Sequence, residues 1–215
     1  MEQNIRQILT RLEENGFEAY IVGGYVRDFL LGRNTSDVDI ATNAKPEQVQ
    51  KIFSDKECID HSKFGSVWVE DVEITTFRKD TYNIGNRFPM VTFVSTMKED
   101  AIRRDFTINA LYMNKNGKIF DPLDRGIEDL KRKVIKTIKE PNHSFEEDPL
   151  RMIRAIRFSR MLNFTLDSKV QESLNSEKLQ QLLRETVSVK RVQKEIEKGK
   201  KGFVNEKEYD FILKK

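Results

Sequence analysis

A single cysteine, Cys58, stands in 215 residues, so no internal disulfide can form. With no Cys-x-x-Cys or Cys/His spacing around it, no thiolate metal site is expected either, and an ordinary buried thiol is. No apolar run approaches the ~20 residues that a membrane span requires. The first residues, Met1-Glu2-Gln3-Asn4-Ile5-Arg6, lack the apolar core of a signal peptide, so no membrane association and a cytoplasmic location are expected. An excess of charge of one sign is missing too. Lys plus Arg number 38 and Asp plus Glu 35, a net charge of +3 that is weak grounds for a polyanionic partner, and the distribution of charge has to carry that argument. Internal repeats and low-complexity tracts are absent.

What is present is a highly charged surface, 34% of residues, around 38% hydrophobic residues that include 14 Phe, a balance that argues for packing rather than disorder. The length exceeds the commonest size of a single domain, and one domain with a smaller appendage is expected. Ile5, Ile8, Leu9 and Leu12 recur at helical spacing and stop at Asn15-Gly16, which predicts an opening amphipathic helix. Ala19-Tyr20-Ile21-Val22 then reads as a strand, Gly23-Gly24 as a turn, and Val26 to Leu31 as a short helix ended by Gly32. Val38 to Ala41 is the next strand, and Pro46 suits the first turn of a helix running to Phe53. Val67-Trp68-Val69 and Val72 to Phe77 predict a hairpin turning at Glu70-Asp71. Lys79 to about Thr96 shows no clear period and reads as a long mobile loop of the kind that is often functional. Met97 to Arg104 is expected to be helical, with Ala110 to Met113 and Lys118 to Phe120 as strands about an Asn116-Gly117 turn. From Pro141 onward helical patterning replaces β-prone runs, which places a domain boundary near residue 140. Between Arg184 and Lys201 seven Lys or Arg face three Glu, a locally basic stretch that fits either a solvated helix face or contact with RNA.

The sharpest local feature is Gly23-Gly24-Tyr25-Val26-Arg27-Asp28 followed, ten residues after Arg27, by Asp37-Val38-Asp39. Aspartates at i and i+2 of a strand point the same way and can share hard divalent cations. A bare Asp-x-Asp is common and also fits an exposed strand end. Here it follows a glycine turn that opens a helix, where backbone N–H groups favour phosphate and Arg27 adds a cation. Together these are the parts that nucleotide transfer from a triphosphate demands: Mg2+ ions to polarise phosphate oxygens and donors to neutralise the leaving pyrophosphate. Glu73 is a possible third carboxylate on the neighbouring strand, and equally an outward polar residue of an alternating strand.

The stretch from Gly23 to Gly32 with Asp37-Val38-Asp39-Ile40-Ala41-Thr42 resembles the first signature of class II tRNA nucleotidyltransferases, the CCA-adding enzymes and bacterial poly(A) polymerases. Arg103-Arg104-Asp105-Phe106-Thr107-Ile108-Asn109-Ala110 resembles their second signature, and Asp121-Pro122 with Gly126 and Asp129-Leu130 their head-to-neck linker. Glu147-Asp148-Pro149-Leu150-Arg151-Met152-Ile153-Arg154-Ala155-Ile156-Arg157-Phe158 resembles their base-recognising signature. The resemblance implies an α/β (α+β) nucleotidyltransferase head of polymerase-β-like type over residues 1–140 and an all-helical neck over 141–215 that recognises the nucleotide base and binds RNA. It implies Asp37, Asp39 and Asp105 as catalytic, with Asp37 and Asp39 holding Mg2+. It further implies Gly23, Gly24, Arg27, Arg103, Arg104, Asp105, Asp148, Arg151, Arg154 and Arg157 as nucleotide-binding. An arginine can grip phosphate in a fork and an aspartate can accept from a ribose hydroxyl; the sequence leaves open which of Arg103 and Arg104 faces the nucleotide.

On the expected neck helix Met152, Ala155, Ile156 and Ser159 form a packed stripe, while Asp148, Arg151, Arg154 and Arg157 step round the other side. Arginines at successive i+3 positions repel, so either solvent or an anionic or planar acceptor is expected beside them. Cytosine and adenine both present an amino donor next to a ring-nitrogen acceptor, which Asp148 and Arg151 complement; guanine and uracil present a carbonyl where Asp148 needs a donor. The resemblance therefore implies a protein template selecting CTP and ATP for addition to a tRNA 3′ end. A poly(A) polymerase, a CC- or A-adding specialist and a non-catalytic RNA-binding module remain as alternatives. Members of the family continue into a helical body and tail, whereas about fifty residues follow the neck signature here, so a fragment, a short form or an RNA grip supplied by a partner or by Lys190 to Lys201 is expected. Asn86-Arg87-Phe88-Pro89 also departs from the family's more usual Asp-Arg and basic residue before proline, in a loop implicated in the switch from C to A addition.

Overall fold

The computed structural model describes residues 3–35, 37–83, 86–200 and 209–210. Along the chain run α1 (Gln3–Glu14), β1 (Ala19–Val22), α2 (Gly24–Leu30), β2 (Asp39–Thr42), α3 (Pro46–Ile52), β3 (Cys58–His61), β4 (Ser66–Val69) and β5 (Val72–Thr76). Then come β6 (Arg78–Asn83), β7 (Asn86–Phe93), α4 (Met97–Ile102), β8 (Tyr112–Met113), β9 (Ile119–Phe120), α5 (Gly126–Lys131) and β10 (Val134–Ile135). The remainder is α6 (Pro141–Glu147), α7 (Leu150–Leu162), β11 (Thr165–Leu166), α8 (Ser168–Leu174), α9 (Glu177–Thr186) and α10 (Val189–Lys200). Two compact units emerge. One comprises Met1–Thr81, Met90–Arg104 and Ile108–Ile127, the other Tyr82–Pro89, Asp105–Thr107 and Glu128–Lys215.

The first unit is a seven-stranded mixed sheet in the order β3-β4-β5-β2-β1-β8-β9. Only β2 and β5 run parallel within it, and the other neighbours are antiparallel. Ile5, Ile8, Leu9 and Leu12 of α1 are buried, each burial removing apolar surface from water at a gain of about 1.5–3 kcal/mol. β2 buries Ile40, Ala41 and Thr42 in succession, as a central strand covered on both faces must, and leaves only Asp39 at its start exposed. The expected hairpin is β4-β5, and the Asn116-Gly117 turn joins β8 to β9, with Gly117 at φ 79, a left-handed conformation that glycine adopts without a Cβ penalty.

One reading of the sequence needs correction. The segment expected as a mobile loop carries a two-stranded sheet, β6-β7. Its β-branched and aromatic residues, Thr81, Tyr82, Val91, Thr92 and Phe93, favour extended backbone, and Pro89 is tolerated because a two-stranded ribbon has edges where no N–H is needed. The unusual Asn86-Arg87-Phe88 triplet lies, by its side chains, outside the described residues. The region after residue 140 is helical as expected, with one short strand, β11, that pairs in parallel with β10 ahead of it. Thr165-Leu166 is too short to show a period. α7 buries Leu150, Met152, Ile153, Ala155, Ile156, Phe158 and Leu162, and α10 covers it with Val192 and Ile196.

Among the described residues no helix is long and apolar enough to cross a membrane.

Candidate active site

In the first unit the sheet register gathers the sequence motifs at one edge. Val22, the last residue of β1, pairs with Asp39, the first of β2, and also with Tyr112, the first of β8. The Gly23-Gly24 turn, the Asp37-Val38-Asp39 segment and the chain entering β8 therefore emerge at the same end of the sheet. Glu73 of β5 is the register neighbour of Asp39 on its other side. Gly23 sits at φ 79, ψ −131, a conformation open essentially only to glycine. Its N–H donates to the Leu111 carbonyl at 3.2 Å, which ties the turn to the strand beside it.

Val38 is buried between exposed Asp37 and Asp39, so the two carboxylates share the solvent side of the chain as the i, i+2 spacing requires. Among the described residues no group of three or more His, Cys, Asp or Glu side chains is arranged to hold a metal ion. Two carboxylate donors still fit Mg2+, which keeps several waters and is held by one or two carboxylates together with substrate phosphates.

Arg27 is buried, at 4% exposure, and its guanidinium is engaged on two sides. Nε and Nη2 donate to the Asp28 carboxylate at 2.9 and 2.8 Å, and Nη1 donates to Asn109 Oδ1 at 2.7 Å. In this arrangement Arg27 joins α2 to the segment that leads into β8. The arginine pair is held by a residue that sequence reasoning passed over, Asp100. Its side chain is fully buried; Oδ1 accepts from Arg103 Nε at 2.8 Å and from the Arg78 N–H at 3.2 Å. Oδ2 accepts from Arg104 Nη2 at 2.9 Å and Nε at 3.2 Å, and from the Tyr112 hydroxyl at 2.6 Å. Burial alone would raise the carboxyl pKa; the charges of Arg103 and Arg104 overcome that and hold it below its ordinary value. Burial likewise opposes the Arg104 charge, and Tyr112 and Asp100 together raise its pKa above the ordinary value. The two arginines turn different ways. Arg104 Nη1 lies 4.0 Å from where a Cβ on Gly23 would stand, whereas Arg103 turns to Asp80, 3.6 Å from its Nη1.

In the second unit two of the arginines of α7, Arg151 and Arg157, are withdrawn from solvent, while Arg154 is half-buried and Arg160 exposed. Arg151 and Arg157 are 4% and 7% exposed, and their acceptors are the protein's own acids. Arg151 Nη1 donates to Ser144 Oγ at 3.0 Å and Glu147 Oε2 at 3.2 Å, and its guanidinium lies 5.8 Å from the Tyr82 ring centroid. Arg154 spans two carboxylates: Nη2 lies 2.6 Å from Asp105 Oδ2, and Nη1 3.2 Å from Glu195 Oε1. Arg157 Nη2 lies 2.8 Å from the same Glu195 oxygen while its guanidinium stacks on Phe158, 4.1 Å from the centroid. Asp105 is also tied to the backbone, its Oδ1 accepting from the Phe106 N–H at 2.7 Å. Asp148 stands at the end of α6 and its Oδ1 accepts from the Leu150 N–H at 3.2 Å. Burial pushes the Arg157 pKa down, whereas the Arg154 pKa rises because Asp105 and Glu195 outweigh the burial that opposes its charge.

Structure thus joins Asp105, Arg154 and Arg157 through Glu195, and sets Arg151 with Glu147 and Ser144. Sequence reasoning missed Glu195 because it was counted within a basic stretch. The available signal was its spacing: with Val192 and Ile196 it falls on the buried face of α10.

Residues 19–136 match the family model described as "Poly A polymerase head domain". A CCA-adding enzyme of Lactobacillus helveticus is 45% identical over 196 residues, which cover 89% of this chain and 48% of that protein. The crystal structure of the Bacillus stearothermophilus CCA-adding enzyme in complex with CTP superposes with a TM-score of 0.83 at 41% identity, covering 94% of this chain and 50% of that one. A Thermotoga maritima CCA-adding enzyme complexed with tRNA-CCA gives a TM-score of 0.73 at 26% identity over 95% of this chain and 49% of that one. The chain spans about half the length of the curated relatives it matches.

Proposed function

The chain belongs to the poly(A) polymerase head-domain family, in which the relatives described above are CCA-adding enzymes, and we propose that it carries out template-independent transfer of CMP and AMP from CTP and ATP to the 3′ end of tRNA. In this reading residues 1–140 are the catalytic head and 141–215 the base-reading, RNA-binding neck. The observation that carries it is the register Asp39↔Val22↔Tyr112, which brings the two carboxylates, the Gly23-Gly24 turn and Arg104 to one end of one sheet.

Asp37 and Asp39 would hold Mg2+. When bound, it supplies charge that polarises phosphate oxygens and lowers the pKa of the attacking 3′-hydroxyl. The chain's own residues do the rest. Gly23 brings backbone close to the triphosphate because no Cβ intervenes, and Arg104 directs Nη1 toward that turn to offset charge on the departing pyrophosphate. Arg27, locked between Asp28 and Asn109, fixes the helix behind the turn rather than reaching across it. Asp105, already backed by Arg154, is an acceptor for a ribose hydroxyl. Asp148 accepts from the amino group common to cytosine and adenine, and Arg151, backed by Glu147 and Ser144, donates to the neighbouring ring nitrogen.

The test uses tRNAs ending before CCA, after one C and after both, each incubated with the protein, Mg2+ and the triphosphates singly and together. Completed CCA ends are expected. A long A-tail identifies poly(A) synthesis, A or CC alone a specialist, and no incorporation by a chain that binds RNA identifies a binding module.

A further inference from the structure

Asp100 belongs to neither the Asp37-Val38-Asp39 pair nor the Arg103-Arg104-Asp105 triplet, yet it is the common partner of both arginines. It is a charged side chain with no exposure, it accepts five hydrogen bonds, and it divides them by oxygen. Oδ1 receives Arg103 and the first N–H of β6; Oδ2 receives Arg104 and the Tyr112 hydroxyl. Tyr112 closes the arrangement from the other side, since its hydroxyl oxygen also accepts from Arg104 Nε at 3.1 Å and the guanidinium carbon stands 5.3 Å from its ring centroid. Two of the three nitrogens of Arg104 are thereby fixed. Nη1 takes part in none of these bonds among the described residues, and it is the nitrogen nearest the Gly23 turn.

We propose that Asp100 is a positioning residue for phosphate binding: together with Tyr112 it clamps Nε and Nη2 of Arg104 so that Nη1 alone is presented to the pyrophosphate portion of the triphosphate at the Gly23 turn. The proposal rests on the reading of this sheet edge as a triphosphate site. A clamped guanidinium meets its ligand without the cost of ordering a long flexible side chain, which is why a buried acid behind an arginine can strengthen anion binding at the arginine's other end. Arg103 is held by the same carboxylate in the opposite sense. Its contacts with Asp80, which also lies 3.0 Å from Arg78 Nε, join it to the start of β6 instead.

This role has a sign that distinguishes it from simple electrostatics. A carboxylate acting only as a nearby negative charge weakens anion binding, so neutralising it would tighten pyrophosphate; a clamp predicts the reverse. Inorganic pyrophosphate is titrated calorimetrically with Mg2+ into the full chain, its Asp100→Asn variant and its Tyr112→Phe variant, with melting followed in parallel. Asp100→Asn is expected to weaken binding at least about ten-fold and Tyr112→Phe about three-fold. In the extension assay KM for CTP should rise in the same order while KM for the tRNA primer stays within about two-fold, a split that loosening of the whole unit would not give. Unchanged or tighter pyrophosphate binding by folded Asp100→Asn overturns the clamp. If that variant does not fold, wild-type affinity in Tyr112→Phe overturns it. Wild-type protein that neither binds pyrophosphate nor extends RNA removes the triphosphate site itself, and the clamp with it, whereas wild-type binding with indifferent variants removes only the clamp.

Discussion

At the edge of the seven-stranded sheet the acids of Asp37 and Asp39 are exposed and the cationic Arg27 and Arg104 are anchored behind them by Asp28, Asn109, Asp100 and Tyr112. On α7 the placement is reversed: Arg151 and Arg157 are the buried groups, and Glu147, Asp105 and Glu195 are engaged in pairing the arginine row. The first arrangement puts negative charge at the solvent-exposed end of the sheet. In the second, three arginines are paired with acids of the same unit, which under the proposed function suits it to reading the edge of a neutral base. Under the proposed function, a ligand that requires net charge and one that requires geometry would be served by different regions, and the contrast can be broken at either end.

The largest effect is expected from the exposed acids. Asp37→Ala should reduce nucleotide incorporation by at least about a thousand-fold while leaving melting temperature and RNA binding near wild type, because an exposed carboxylate contributes to charge stabilisation and not to packing. A variant retaining a tenth of the activity would place the metal elsewhere. Beyond its expected effect on pyrophosphate binding, Asp100→Asn should also lower stability, by about 3–5 kcal/mol in denaturant unfolding, because two arginines lose their buried partner. The folded carboxyl pKa lies below its ordinary value of 3.8, so this contribution is fully present above that value and is lost as pH falls below it. The stability difference between wild type and variant should therefore be flat from pH 8 to about 5 and shrink below about pH 4. On the other side of the comparison, Glu195→Gln leaves Arg154 and Arg157 with a neutral acceptor and should cost about 2–3 kcal/mol, measured in the same way. It should also blunt the preference for CTP and ATP over GTP and UTP without abolishing transfer; unchanged selectivity would make the Glu195 network purely structural. The smallest expected cost, about 1–3 kcal/mol, is that of Gly23→Ala, set by its dihedrals, since the nearest atoms a Cβ would meet are 3.9 and 4.0 Å away.

Much of the scaffold was legible because it rests on local rules. The i, i+3, i+4, i+7 spacing of Ile5, Ile8, Leu9 and Leu12, the Gly23-Gly24 turn between strand and helix and the β4-β5 hairpin follow from period and turn chemistry alone. The ribbon β6-β7 was not legible, because a two-stranded sheet need not bury one face and so need not alternate. The candidate residues could be named from motifs, but their partners could not. Asp100 faces Arg103 and Arg104 at i, i+3 and i, i+4, a local spacing that the motif reading passed over, whereas Asn109 meets Arg27 across 82 positions of chain and Glu195 meets Arg154 across 41. Charge counting failed there for the same reason: a basic helix was judged by its excess, while its single buried acid makes the contact.

The most direct measurement is the equilibrium binding of CTP, ATP, GTP and UTP to wild-type protein and Asp37→Ala, with Mg2+ and with the metal chelated, in the absence of RNA. The account predicts that CTP and ATP bind wild type in preference to GTP and UTP, and that chelation or Asp37→Ala weakens both favoured triphosphates. Equal affinity for all four, or binding indifferent to the metal and to Asp37, would contradict it.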